Sequence, residues 1–161
     1  MRLRFFLLCT ALIAVHLVLH VALALGPAAP DLVVVALLLA SRALGSAAGA
    51  AALGFALGLA EDAFAAVSFG ASVFALTVVG ALGARTRDFF VGDSIPFLAV
   101  FLALGKWGRD LLEWVASDPV ARPPFHDLAL AESPLAALYA AAAGLGVRLL
   151  FIRRPPVRRR P

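Results

Sequence analysis

The stretch DLVVVALLLASRALGSAAGAAALGFALGLAED, Asp31 to Asp62, decides the fold. It is apolar almost throughout and too long for one upright span, which takes roughly 17–25 residues. It can be one long tilted helix or a hairpin of two shorter ones. Ser41-Arg42 interrupts the apolar run, and Gly45 opens a second piece that ends at Glu61-Asp62. The basic residues of the whole chain separate the two readings, because arginine and lysine collect on the cytoplasmic side of membrane proteins.

Outward from this stretch, four more apolar runs are legible: Phe5–Leu25, Val67–Ala84, Ser94–Ala116 and Ser133–Phe151. The first could be a signal peptide ending at Ala22-Leu23-Ala24, but it exceeds the ~7–15 residues of a signal core and is read as a span. Gly26-Pro27-Ala28-Ala29-Pro30 breaks it. Pro30 suits the first turn of the next helix, where Asp31 faces the positive helix end. Ser94 and Ser133 are expected as N-caps, with Pro96 and Pro134 just behind them.

A hairpin at 31–62 gives six spans with both termini cytoplasmic. Arg2, Arg4, Arg42, Arg85, Arg87, Arg148, Arg153, Arg154, Arg158, Arg159 and Arg160 then lie inside, and only Arg122 outside. Lys106 and Arg109 belong to the fifth span. A single long helix spoils this distribution and leaves Arg42 in mid-membrane, which is costly. The expected protein is all-α and polytopic, with a six-helix domain over residues 1–152 and a basic cytoplasmic tail over 153–161. The first helix of the hairpin has about 15 residues. At ~1.5 Å per residue it falls short of a ~30 Å core, so it thins the bilayer or lies buried among its neighbours.

Composition agrees. Of 161 residues 63% are hydrophobic and only 15% charged, against about 25% charged in soluble domains. The net charge of +4 flanks apolar runs, which is an orientation signal and does not point to nucleic acid. One cysteine, Cys9, excludes an internal disulfide framework. The tail Arg153–Pro161 is broken by proline, and attraction to anionic lipid accounts for its charge. The segment Ser117–Glu132, with Pro119, Pro123 and Pro124, is expected to be an irregular outer loop carrying His126.

Two groups of residues stand out. The third span presents small residues at Gly45, Gly49, Ala50, Gly54 and Gly58, with Asp62 a turn later. Residues four apart share a helix face, and small faces let helices approach closely in lipid. Packing within the bundle is the plainer reading, and docking of a partner's helix the sharper one. The sixth span repeats the pattern more weakly at Ala136, Ala140 and Gly144. The fifth span carries Lys106, Arg109, Asp110 and Glu113 in one stripe, paired at i,i+4 and neutral in sum. Trp107 and Trp114 beside it suit an interfacial depth. The stripe either faces protein or a wet cavity, or projects into the outer solution. Glu61-Asp62 is a solvated helix end or a contact to an outside partner. His16 and His20 share a face, but a metal needs further ligands and none is near in sequence, so no metal is expected. No HExxH, GxSxG, Walker loop or dinucleotide fingerprint occurs, so neither catalytic residues nor a cofactor are expected.

Pro30-Asp31-Leu32, then Gly54-Phe55-Ala56-Leu57-Gly58-Leu59-Ala60-Glu61-Asp62, then Ser68-Phe69-Gly70 resemble the pattern of MreD, the rod shape-determining membrane protein family of bacteria. The resemblance covers about residues 30–70; elsewhere only hydropathy agrees, and the fifth-span stripe and arginine tail have no counterpart in the motif. It implies a non-enzymatic scaffold of the cell-wall elongation complex (the elongasome), serving peptidoglycan synthesis and cell shape from the bacterial cytoplasmic membrane. The implied partners are a single-pass MreC-like protein, the actin-like MreB, and RodA with its penicillin-binding transpeptidase. Pro30, Asp31, Gly54, Phe55, Gly58, Asp62 and Gly70 become candidate partner-binding or helix-packing residues. The family fold is thought to resemble the substrate-binding subunits of energy-coupling-factor transporters. That gives the alternative of a vitamin-binding membrane subunit with Lys106, Arg109, Asp110 and Glu113 lining its pocket.

Overall fold

The structure, a computed structural model, describes residues 2–19, 30–64, 68–86, 94–120 and 122–151. The expected break at 26–29, His20, Val67, Arg87 and the tail 153–161 lie outside them. Every regular element among the described residues is helical. They are α1 Arg2–Leu17, α2 Leu32–Leu44, α3 Ala47–Asp62, α4 Ala71–Thr86, α5 Ile95–Ala116, the single turn α6 Phe125–Asp127, a π-helical stretch Leu128–Glu132, and α7 Ser133–Phe151.

The 31–62 stretch is a hairpin. Gly45 ends α2 with φ 66°, donating its N–H to the Ser41 carbonyl at 3.4 Å. That left-handed conformation carries no penalty in a residue without Cβ. Ser46 then caps α3, its hydroxyl accepting from the Gly49 N–H at 3.2 Å. Arg42, near the end of α2, lies over the Phe97 and Phe101 rings of α5, at 5.4 and 5.6 Å from their centroids. Guanidinium on aromatic faces is favourable where water is scarce.

Short as it is, α2 is the axis of the molecule. Each residue from Leu32 to Ser41 is buried, and the helix touches α1, α3, α4, α5 and α7. A helix apolar on every side belongs inside a bundle. The core around it combines Val33, Val34, Leu37 and Leu38 with Leu57, Leu76, Leu98 and Leu102. The outer surface is apolar as well. Phe55 of α3, Phe74 and Leu82 of α4, Leu104 of α5 and Leu135, Leu138 and Leu149 of α7 are all exposed. Phe125–Leu150 is long and apolar enough to cross a membrane; Leu7–His16, Leu32–Leu44 and Ala71–Thr86 are shorter apolar helices.

The Gly54/Gly58 face lies against α4 of the same chain. A Cβ at Gly58 would stand 2.5 Å from Val73 Cα, and one at Gly54 would collide with the Leu76 carbonyl. Asp62, one turn further, receives the N–H groups of Gly70 (2.8 Å), Ser72 (3.3 Å) and Val73 (3.1 Å). These are orphan donors at the start of α4, where a carboxylate also meets the positive helix end. The glycine pair and the aspartate are therefore one device. The glycines bring two backbones together, and the aspartate sets their register. Asp62→Ala leaves those donors without their acceptor and is expected to lower stability by about 1–3 kcal/mol, read as a lower Tm of the detergent-solubilised protein.

The fourth helix begins at Ala71, after a turn at Ser68 (φ 63°) and Gly70 (φ 99°). Two expectations are corrected. The segment before α7 is not wholly irregular, since Phe125–Glu132 is helical and runs into α7. Pro124 starts it at no loss, since first-turn N–H groups lack partners anyway. Ser133 is accordingly no cap but a residue within a continuous helix. The π-helical stretch just before Pro134 widens the backbone where that ring would crowd the preceding turn and where an N–H is missing. Ser94 does occupy the N-cap position of α5, without a side-chain cap bond.

Candidate functional site

Alternating helix directions bring one end of each long helix to the same level. There the C-terminal part of α1, the N-terminus of α2, the C-terminus of α3, the second half of α5 and the N-terminus of α7 meet in a buried ionic cluster. The four α5 residues do form one stripe. Lys106 Nζ lies 2.5 Å from Asp110 Oδ1, and Arg109 Nη1 2.8 Å from Glu113 Oε2. Lys106, Arg109 and Asp110 face protein, Lys106 being only 7% exposed, while Glu113 at the end of the stripe is partly open.

What the stripe meets comes from other helices. Asp31 caps α2, its Oδ1 accepting from the Val34 N–H at 3.1 Å. Its Oδ2 lies 3.1 Å from Lys106 Nζ and 3.6 Å from Arg109 Nη1. Pro30, half-buried, precedes it. Glu61, at the end of α3, takes Arg109 Nη2 at 2.8 Å. Ser133 of α7 donates to Asp110 Oδ2 at 2.9 Å. His16 of α1 stands between two acids, with Nδ1 3.9 Å from Asp31 Oδ1 and Nε2 3.6 Å from Glu61 Oε1. Arg109 is the hub, because a planar fork of five donors can serve several carboxylates at once.

The stripe is neutral by itself, and Asp31 and Glu61 change that. Four carboxyl groups now face two permanent cations, with His16 between two of the acids, in a buried place. Such a cluster is tolerable only while its pairs stay intact, since each lone charge would be desolvated without compensation.

Beside Glu113 is a cavity of ≈ 260 Å³ lined by Ser68, Asp110, Glu113, Trp114, Ser117 and Arg122 among others. Its rim is tied down. The Arg122 guanidinium carbon sits 5.0 Å from the centroid of the Trp114 ring, and Arg122 donates to the carbonyls of Val115 (2.8 Å) and Ser117 (2.9 Å). Trp114 Nε1 donates to the Pro123 carbonyl at 2.9 Å, and Trp107 Nε1 to that of Ala129 at 3.3 Å.

The remaining candidates are dispersed. Gly54 and Gly58 are used up in the α3–α4 contact, so that face does not receive a partner's helix. Gly70 serves the turn before α4. Asp62 is buried as a cap and offers no outward contact. Phe55 is exposed on α3, and His126 is exposed with Nε2 3.0 Å from Asp127 Oδ1. Sequence reasoning paired His16 with His20 and Glu61 with Asp62, and did not join His16, Asp31 and Glu61 to the stripe. One nitrogen of His16 and one oxygen each from Asp31 and Glu61 lie within 4.8 Å of one another. These ligands come from three different helices, which spacing along the chain does not reveal.

No protein-family model, curated protein or solved structure matches the chain.

Proposed function

We propose that this chain crosses a bacterial cytoplasmic membrane six times, with both termini inside, and serves there as a non-catalytic scaffold of the cell-wall elongation complex. One observation carries the reading. The protein buries charge and exposes apolar surface: Asp31, Asp62, Lys106 and His16 are buried beside the apolar core, while phenylalanines and leucines of α3, α4, α5 and α7 are exposed. A soluble monomer rarely exposes apolar surface on this scale. In a bilayer the same distribution is the stable one, because intramembrane charges face the bundle interior and pair. The short α2, buried from Leu32 to Ser41, needs no lipid-matching length in such a bundle.

Within that class, the internal use of the charges favours a rigid body over a carrier. The carboxylates and cations of α5 hold other helices. The neighbouring cavity, at ≈ 260 Å³, is below the ~300–1,000 Å³ usual for pockets of drug-sized ligands. The assignment to wall elongation rests on the Pro30-Asp31 and Gly54–Gly70 pattern. The direct partner it points to is an MreC-like single-pass protein, with MreB, RodA and its penicillin-binding transpeptidase in the same assembly and anionic lipid at the arginine tail.

The test is deletion in the native bacterium, scored for cell width, together with co-purification of the MreC-like chain. The reading expects widened or rounded cells and recovery of that chain with the tagged protein. Phe69, exposed at the end of the bundle that holds the cluster, provides a variant that spares the core. Phe69→Glu is expected to weaken co-purification while leaving the Tm within about 1 kcal/mol equivalent, as surface changes do. Normal rods after deletion, with vitamin uptake lost instead, would reject the scaffold in favour of a transporter subunit.

A further inference from the structure

We infer that His16, Asp31 and Glu61 form a binding site for one divalent metal ion of the zinc class, buried where α1, α2 and α3 meet. The inference is independent of the scaffold reading.

The three side chains converge from separate helices, with a nitrogen and two oxygens within 4.8 Å of one another. Each carboxylate keeps one oxygen on a cation and turns the other toward His16, although Asp31 Oδ1 also accepts from the Val34 N–H at 3.1 Å. Asp31 Oδ2 and Glu61 Oε2 are held by Lys106 and Arg109 at 3.1 and 2.8 Å. Asp31 Oδ1 lies 3.9 Å from His16 Nδ1 and Glu61 Oε1 3.6 Å from Nε2, so an ion would take one of the two nitrogens and draw the other carboxylate round to it. Carboxylate ligands are normally oriented in this way by hydrogen-bond donors on their far oxygens.

Charge supplies the second argument. By formal count Asp31, Glu61, Asp110 and Glu113 outnumber Lys106 and Arg109 by two, and His16, Asp31 and Glu61 are nearly closed to solvent. A divalent ion brings the sum to zero, whereas a monovalent ion leaves one charge uncompensated in a place where that is expensive. Lys106 and Arg109 repel a cation, but four carboxylates within the same cluster outweigh them.

The donor set gives the chemical class. One imidazole with two carboxylates suits zinc and its transition-metal neighbours; magnesium and calcium prefer oxygen alone. Zinc binds at ~2.0–2.2 Å from nitrogen and oxygen, so the ligand atoms must draw together by roughly 1 Å, within reach of side-chain rotation. Water would complete the four-coordinate shell. Such an ion would fasten α1 to the α2–α3 hairpin.

The experiment uses the full chain in detergent, stripped with chelator and titrated with Co²⁺ followed by its ligand-field absorption. Binding of one equivalent, displaced by Zn²⁺, is expected. His16→Gln should weaken it by about 100-fold or more, since even outer-shell partners are worth about 10–100-fold. His126→Ala should not change it. No absorption bands, bands that survive His16→Gln, or bands lost in His126→Ala would each overturn the site. Should His16→Gln fail to fold, the unaltered protein still decides. Cu²⁺, which favours the same donors, must show electron-spin coupling to imidazole nitrogen; a signal from oxygen ligands alone refutes the proposal.

Discussion

Arg109→Leu is expected to lower the stability of the protein by about 3–5 kcal/mol, the range for breaking a buried ion pair by removing one partner. Arg109 Nη2 holds Glu61 at 2.8 Å, and Nη1 holds Glu113 at 2.8 Å while reaching Asp31 at 3.6 Å. Without it, four carboxylates share Lys106 alone. For a chain of this size that corresponds to a Tm lower by about 6–20 °C. Intrinsic fluorescence of Trp107 and Trp114, both hydrogen-bonded beside the cluster, reads the transition. Arg109→Lys should fall between wild type and Arg109→Leu, because a single ammonium cannot span Glu61 and Glu113 as the fork does. A loss below about 1 kcal/mol in Arg109→Leu would mean that the cluster is solvated and does not bind the helices together.

Gly58→Leu should be among the most damaging single changes where α3 meets α4. The obstruction is backbone: Val73 Cα at 2.5 Å and the Ser72 carbonyl at 2.7 Å from where a Cβ would be. No rotamer relieves it, so the helices must separate, and Asp62 then loses the N–H groups that it caps. Overpacking commonly costs about 1–3 kcal/mol, and the coupled loss of the cap adds about 1–3 more. Gly146, where a Cβ meets nothing within 4 Å, gives the control. Gly146→Ala should leave folded yield unchanged, whereas Gly58→Leu should elute as aggregate in size-exclusion chromatography. Equal yields from the two variants would contradict the close α3–α4 approach.

Much of this was legible before any coordinates. The distribution of basic residues marks the hairpin, because arginine avoids mid-membrane; that Gly45 closes α2 and does not belong to the small face of α3 is seen only in the structure. The stripe from Lys106 to Glu113 follows from helical periodicity alone. Its partners do not. The basic-residue count puts Asp31, Glu61 and the stripe at one level, but level is not contact. Which helix neighbours which depends on packing around α2, and nothing local encodes that. The same holds for His16: its neighbours in sequence offer no third ligand, and the structure brings two carboxylates from other helices. The helix before α7 was hidden for a different reason. Three prolines between 119 and 124 suggested a loop, and the run after Pro124, FHDLALAE, is short and polar enough to pass for its continuation.

The account stands most directly on the claim that the bundle lies across a membrane with the cluster at its outer end. Single cysteines placed in a Cys9→Ser background test it in intact cells of the native bacterium. Val120, 96% exposed near the cluster end, and Leu44, 52% exposed at the opposite end, are the positions to label with a membrane-impermeant maleimide. Val120→Cys is expected to react in intact cells, and Leu44→Cys only after the membrane is opened. Labelling of both in intact cells, of Leu44→Cys alone, or release of the protein from membranes by alkaline carbonate would contradict it.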